Sequence, residues 1–163
     1  MLTRALEKLP NHPDLLYDQA MAAEKIDRID VVESSLRKLI QVKPDNAHAY
    51  NALGYTLADR TTRYDEAKVL LQQALKLAPD DAFILDSMGW LYYRMKDYGQ
   101  ASTYLRRALS IRADPEIAAH LGEVLWVKGE HAEAEQVWTH ALQANPGHEA
   151  LTGVINKFKP AKP

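Results

Sequence analysis

Cysteine is absent from the 163 residues. That excludes a disulfide framework, a thiolate metal site and a cysteine nucleophile. Long apolar runs are absent too: no stretch approaches the roughly 18 residues that a membrane-spanning helix needs. Charge of either sign is not in excess. The net charge is -2, no five like charges run together, and the clustered basic face of a nucleic-acid binder is missing, so no nucleic acid is expected as a partner. The start shows no basic segment followed by an apolar one, so no signal peptide is visible. Glycine and proline are scarce, with 7 and 8 copies, yet most of them stand where a chain of helices would turn.

What is present is a repeat. Pro10, Pro44, Pro79 and Pro146 fall at the same point of a recurring unit of about 34 residues, with Ala113 in the equivalent place between the last two. Ahead of the last three markers runs one string: Gly54, Tyr64, Ala67; Gly89, Tyr98, Ala101; Gly122, His131, Ala134. Apolar residues recur at helical spacing on both sides of a polar break. In one unit these are Tyr50, Leu53, Leu57, then Ala67, Leu71, Ala74 and Leu75. In the next they are Leu85, Met88, Tyr92, then Ala101, Leu105, Ala108 and Leu109. Each unit therefore reads as helix, tight turn, helix and proline stop, because proline lacks an amide hydrogen and clashes with the preceding turn. Mid-helix glycine costs about 1 kcal/mol relative to alanine. Its return at one register predicts close helix approach, small residue against small residue.

The expected organisation is a truncated half-repeat over 1–12, a degenerate unit over 13–46, full units over 47–81, 82–114 and 115–148, a capping helix over 149–158 and a tail over 159–163. The opening pattern, Leu2 to Leu9, reads as the second half of a repeat, which makes a piece of a longer protein the expectation. Its end face would then expose Leu2, Leu6 and Leu9.

This pattern resembles the tetratricopeptide repeat (TPR) family over nearly the whole chain. The signature is carried by Tyr50, Leu53-Gly54, Leu57, Ala67, Leu71, Ala74 and Pro79, and by the matching residues Leu85, Met88-Gly89, Tyr92, Ala101, Leu105 and Ala108. Ala118, Leu121-Gly122, Leu125, Ala134, Trp138, Ala141 and Pro146 carry it again. The first unit departs, with Ala20 for glycine and Val32 and Leu39 for the two alanines. The resemblance implies an all-α solenoid of antiparallel helical hairpins in a right-handed superhelix. It implies a scaffold that holds a peptide segment or helix of another protein against the first helix of each unit.

The inner positions implied by that family give a candidate partner-binding groove of Tyr17, Asn51, Tyr55, Phe83, Asp86, Trp90, Tyr93, Arg94, Glu123 and Trp126. Tyr55, Trp90, Tyr93 and Trp126 form an aromatic stripe of the kind that dominates binding hot spots. Trp90 and Trp126 have a second reading as packing against the neighbouring unit. Trp138 falls at a core position. Some family members clamp acidic chaperone tails with a lysine followed one turn later by asparagine. No lysine here has asparagine four residues on, so that partner class is rejected.

More narrowly, Leu85-Asp86-Ser87-Met88-Gly89-Trp90 and the stretch Asp114 to Trp126, with Trp138, resemble a proteobacterial group of outer-membrane TPR lipoproteins. Some of these are adaptors for a periplasmic carboxy-terminal processing protease. That resemblance implies the periplasmic side of the outer membrane, the alternative being the cytoplasm.

Enzyme signals are weak. The six histidines form no HExxH motif and no nucleophile–base pair, and neither a phosphate-binding glycine loop nor a GxSxG elbow is present. His120 and Glu123, one turn apart, read as surface rather than as a metal site. No catalytic residue, metal or cofactor is expected. Two further readings stay open: an assembly module that acts through self-association, and an accessory repeat region of a larger enzyme.

Overall fold

Helix starts are written into the local sequence. Asn46, Asp81, Asp97 and Asp114 each accept backbone N–H groups at the first turn of a helix with their side-chain oxygens. Asp81 takes Phe83 N at 2.9 Å and Ile84 N at 3.1 Å, satisfying donors that a helix cannot satisfy internally. Pro13 and Pro115 open helices where a missing amide hydrogen costs nothing.

The computed structural model describes residues 2–160; residues 161–163 of the expected tail lie outside them. Among the described residues ten α-helices follow in order: α1 Leu2–Lys8, α2 Pro13–Lys25, α3 Ile29–Val42, α4 Ala47–Arg60, α5 Tyr64–Leu77, α6 Ala82–Arg94, α7 Tyr98–Ile111, α8 Pro115–Lys128, α9 His131–Ala144 and α10 Glu149–Phe158. Among the described residues there is no strand, and no helix is long and apolar enough to cross a membrane. The chain is all-α, as expected, and its helices pack as antiparallel hairpins, α2 on α3, α4 on α5, α6 on α7 and α8 on α9.

Two compact units divide the chain, Met1–Pro79 and Asp80–Pro163. In the first, α3 packs on α4, and the core is Leu16, Ala20, Val32, Leu36, Leu39, Leu53, Leu57, Ala67, Leu71 and Ala74. Arg37 and Arg63 each bind both Glu33 and Glu66, joining α3 to α5. Arg37, Arg63 and Glu66 face water, which screens these pairs, so they add little to stability. In the second unit, α7 packs on α8, and the first helices α6, α8 and α10 stand side by side. Its core includes Leu85, Met88, Ala101, Leu105, Leu121, Leu125, Ala134 and Trp138.

The repeated glycines mark close approach. A Cβ at Gly54 would lie 2.7 Å from Leu71 Cγ, and one at Gly89 would lie 2.6 Å from Leu105 Cγ. At Gly122 it would run into the indole of Trp138. The expected packing of small residue against small residue is not what the structure shows: the space at each glycine is filled by a large side chain of the hairpin partner, Leu71, Leu105 or Trp138, one turn beyond the alanine.

The turns inside the hairpins solve one problem with different residues. Asp27, Lys96 and Gly129 all adopt positive φ, at 60°, 63° and 96°. The left-handed conformation costs an ordinary L-residue about 1–2 kcal/mol, while glycine carries an unfolded-state entropy cost of about 0.5–1 kcal/mol. Lys96→Gly is therefore expected to stabilise by about 0.5–1 kcal/mol, a rise of roughly 2 °C in the melting temperature. A thermal melt followed by circular dichroism checks this. A lower midpoint would show that Lys96 makes a contact worth more than its strain.

Candidate protein-docking face

In the second unit, the sequence places candidate residues on α6 and α8, two neighbouring first helices. Positions 83, 86, 90, 93 and 94 lie on α6, and 123 and 126 on α8. Phe83 is 40% exposed, and the guanidinium of Arg112 lies 5.1 Å from its ring centre. Arg94, in the last turn of the same helix, is exposed. Val127 on α8 is 39% exposed.

Asp86, Trp90 and Glu123 turn inward and are buried. Asp86 Oδ1 lies 2.8 Å from His120 Nδ1. The Trp90 ring stacks on the His120 imidazole at 4.2 Å and tilts against Tyr93 at 4.8 Å. The Tyr93 hydroxyl donates to Glu123 Oε1 at 3.1 Å, and Lys157 Nζ of α10 donates to the same oxygen at 2.8 Å. Lys157 also lies 5.0 Å from the Phe158 ring centre. Two sets of polar contacts therefore join α6 to α8, and the second continues from α8 to α10.

The electrostatics follow from this packing. Burial, with the Glu123 carboxylate beside it, pushes the Tyr93 phenol well above its ordinary value, so it stays a hydrogen-bond donor. Burial opposes a charge on His120, but the Asp86 carboxylate, with Glu123 and Glu116 farther off, outweighs it and holds the imidazole above its ordinary 6.5.

Trp126 is half-buried. It stacks on His131 at 4.0 Å and lies 5.8 Å from Trp138 and 6.2 Å from Phe158. Its larger neighbours are thus aromatic rings of its own unit. Trp138, 1% exposed, sits in the core and donates its indole N–H to the Ala119 carbonyl at 3.4 Å.

In the first unit, Tyr17 on α2 is half-buried and lines an open cavity of about 500 Å³ with Asp14, Asp18, Asn46 and His48. Asn51 on α4 holds its Oδ1 buried, without a protein partner. Tyr55, one turn on, is half-buried.

Per-unit reading passed over Lys157 and took His120 with Glu123 as surface; the structure instead buries Glu123 and turns His120 against Asp86 of the preceding first helix. The signal lay between units: His120 and Lys157 each pair with an acid 34 residues earlier, Asp86 and Glu123. Among the described residues, no group of three or more histidine and acidic side chains is placed to hold a metal ion.

Stacked helical hairpins with a shared glycine–alanine register define a helical-repeat protein. Two tetratricopeptide-repeat models match residues 45–114 and 87–149, and together they span well over half of the chain. The chain belongs to the tetratricopeptide repeat family. It is 52% identical over 122 residues to a TPR repeat-containing protein of Pseudomonas aeruginosa, covering 75% of this chain and 21% of that protein. The chain thus spans about a fifth of that relative's length.

Among solved structures, TTC0263, a thermophilic TPR protein of Thermus thermophilus, superposes with a TM-score of 0.84 at 23% identity, covering 93% of this chain and 84% of that one. YrrB, described as a TPR protein with an unusual peptide-binding site, superposes at 0.65 with 19% identity, covering 99% of this chain and 85% of that one. The family supports a protein-interaction scaffold, since TPR domains bind other proteins or peptides.

Proposed function

We propose that this chain is a non-catalytic docking module and that the first-helix face of the second unit receives a segment of a partner protein. One observation carries this reading. Phe83 and Val127 stay 40% and 39% exposed on a face whose buried acids, Asp86 and Glu123, are already matched by His120 and Lys157. Exposed apolar side chains on a rigid, internally neutralised surface suit contact through burial of area, with Arg94 at the edge for a charged group. Tyr93 and Trp126 supply further aromatic surface. Tyr17, Asn51 and Tyr55 offer the corresponding contacts within the first unit.

The finer proposal is an adaptor role at the periplasmic side of the outer membrane, bringing substrates to a carboxy-terminal processing protease. It is supported by the resemblance of the stretches Leu85–Trp90 and Asp114–Trp126. Biosensor binding of such a protease to the immobilised chain tests it. The double variant Phe83→Ala/Arg94→Glu should weaken binding at least tenfold while its circular dichroism and melting temperature stay within error. Unchanged binding in the variant would move the contact away from this face. No binding by the wild type would remove the protease as partner.

A further inference from the structure

His120 holds a position that the docking reading leaves unused. From α8 it both ion-pairs and stacks with α6: its Nδ1 lies 2.8 Å from Asp86 Oδ1 and its ring lies 4.2 Å from that of Trp90. Side-chain exposure is 19% for His120 and 11% for Asp86, so water screens the pair weakly.

We infer that Asp86 and His120 form a proton-controlled clamp between α6 and α8, tight when the imidazole is charged and loosened when it is neutral. The deepened claim, that this clamp sets the rigidity of the docking face, rests on the docking reading above; the clamp itself does not.

The neighbouring charges favour the proton. Asp86 comes from α6, and Glu116 and Glu123 lie one turn to either side of His120 on α8. Lys157 of α10 is bound to Glu123. From α7, Arg106 binds Glu133 and Glu130 and Arg107 binds Asp80. From α9, His131 stacks on Trp126, and Glu135 holds Lys159. Tyr93 of α6 stays neutral. With the proton on, a buried carboxylate is balanced by an imidazolium at hydrogen-bond distance. With it off, Nδ1–H still donates, but the buried acid has lost its compensating charge, which weakens the α6–α8 contact.

The direction with pH is fixed by the raised value. Stability from this pair is fully present below the ordinary 6.5 and is lost as pH rises through the higher folded-state value. Trp90 rests on the same ring and Tyr93 on Trp90, so the loosening reaches the docking residues.

The test is a titration of the histidine ring protons of the whole chain by NMR, from pH 5.5 to 9, with His120 assigned in the wild type by nuclear Overhauser contacts to the Trp90 indole, 4.2 Å away. The wild-type midpoint for His120 is expected above 6.5 and should fall in Asp86→Asn. Melting of wild type and His120→Gln over the same range should show a gap that is widest at low pH and closes as pH rises. A wild-type midpoint at or below 6.5 overturns the proposal even if neither variant folds, and so does a gap that does not change with pH. Neither readout involves a partner, so failure of the clamp is distinguishable from failure of the docking face.

Discussion

Gly122→Ala is expected to destabilise the second unit by about 3 kcal/mol, although alanine is the better helix former. The helix-propensity gain of about 1 kcal/mol is overwhelmed because the new methyl would occupy space held by the Trp138 indole. Trp138 is 1% exposed and hemmed in by Trp126 and Phe158, so it has no open direction in which to move. Overpacking a well-filled core costs about 1–3 kcal/mol and occasionally more.

A double-mutant cycle isolates the cause. Trp138→Ala alone should cost about 4 kcal/mol through the cavity it leaves. Adding Gly122→Ala to that background should cost nothing further, and the propensity gain should reappear. Denaturant unfolding followed by far-ultraviolet circular dichroism gives the four free energies. Additive costs would mean that Gly122 is required for backbone reasons and not for the indole.

The second large effect separates core from contact among the aromatic residues. Trp90→Ala is expected to cost about 3 kcal/mol, near the lower end for a buried aromatic. Trp90 is 8% exposed and packed between His120 and Tyr93. Phe83→Ala should cost under about 1 kcal/mol, since 40% of that residue already faces water. The two substitutions, compared in one set of thermal melts, should differ by several degrees. Equal midpoints would show that Trp90 is not part of the packing. The practical consequence is that lost binding in Trp90→Ala reports on folding, whereas lost binding in Phe83→Ala reports on contact.

The fold was legible because its instructions are local and repeated. The positions of Gly54, Gly89 and Gly122 are set by the close approach of one hairpin partner, and Pro44, Pro79 and Pro146 by the need to end a helix. Both constraints return every 34 residues or so, and repetition raises them above the background of a single chain. Asp81 and Asp114, last residues of their units by sequence reading, cap the next helix, which is why each unit ends where it does.

The candidate face was legible only in part. Counting positions along each first helix found Phe83 and Arg94, which are exposed. The same count picked Asp86, Trp90 and Glu123, and these are buried. Their partners, His120 and Lys157, come from the following first helix, and a position count within one unit carries no information about what the next unit sends across. Trp126 shows the same limit: His131, Trp138 and Phe158, from α9 and α10, surround it. A side chain's place on its own helix is set by the 3.6-residue period, but its exposure is decided by the neighbour.

Partner contact is proposed to run through the first-helix face of the second unit. The most direct measurement places a photo-reactive phenylalanine analogue at position 83 and, separately, at Thr103, an exposed position on the second helix α7, and compares cross-linking to the bound partner. Position 83 should give a cross-linked band that disappears with unlabelled competitor, and position 103 should give none. Cross-linking from 103 without cross-linking from 83 would assign the contact to the second-helix face instead.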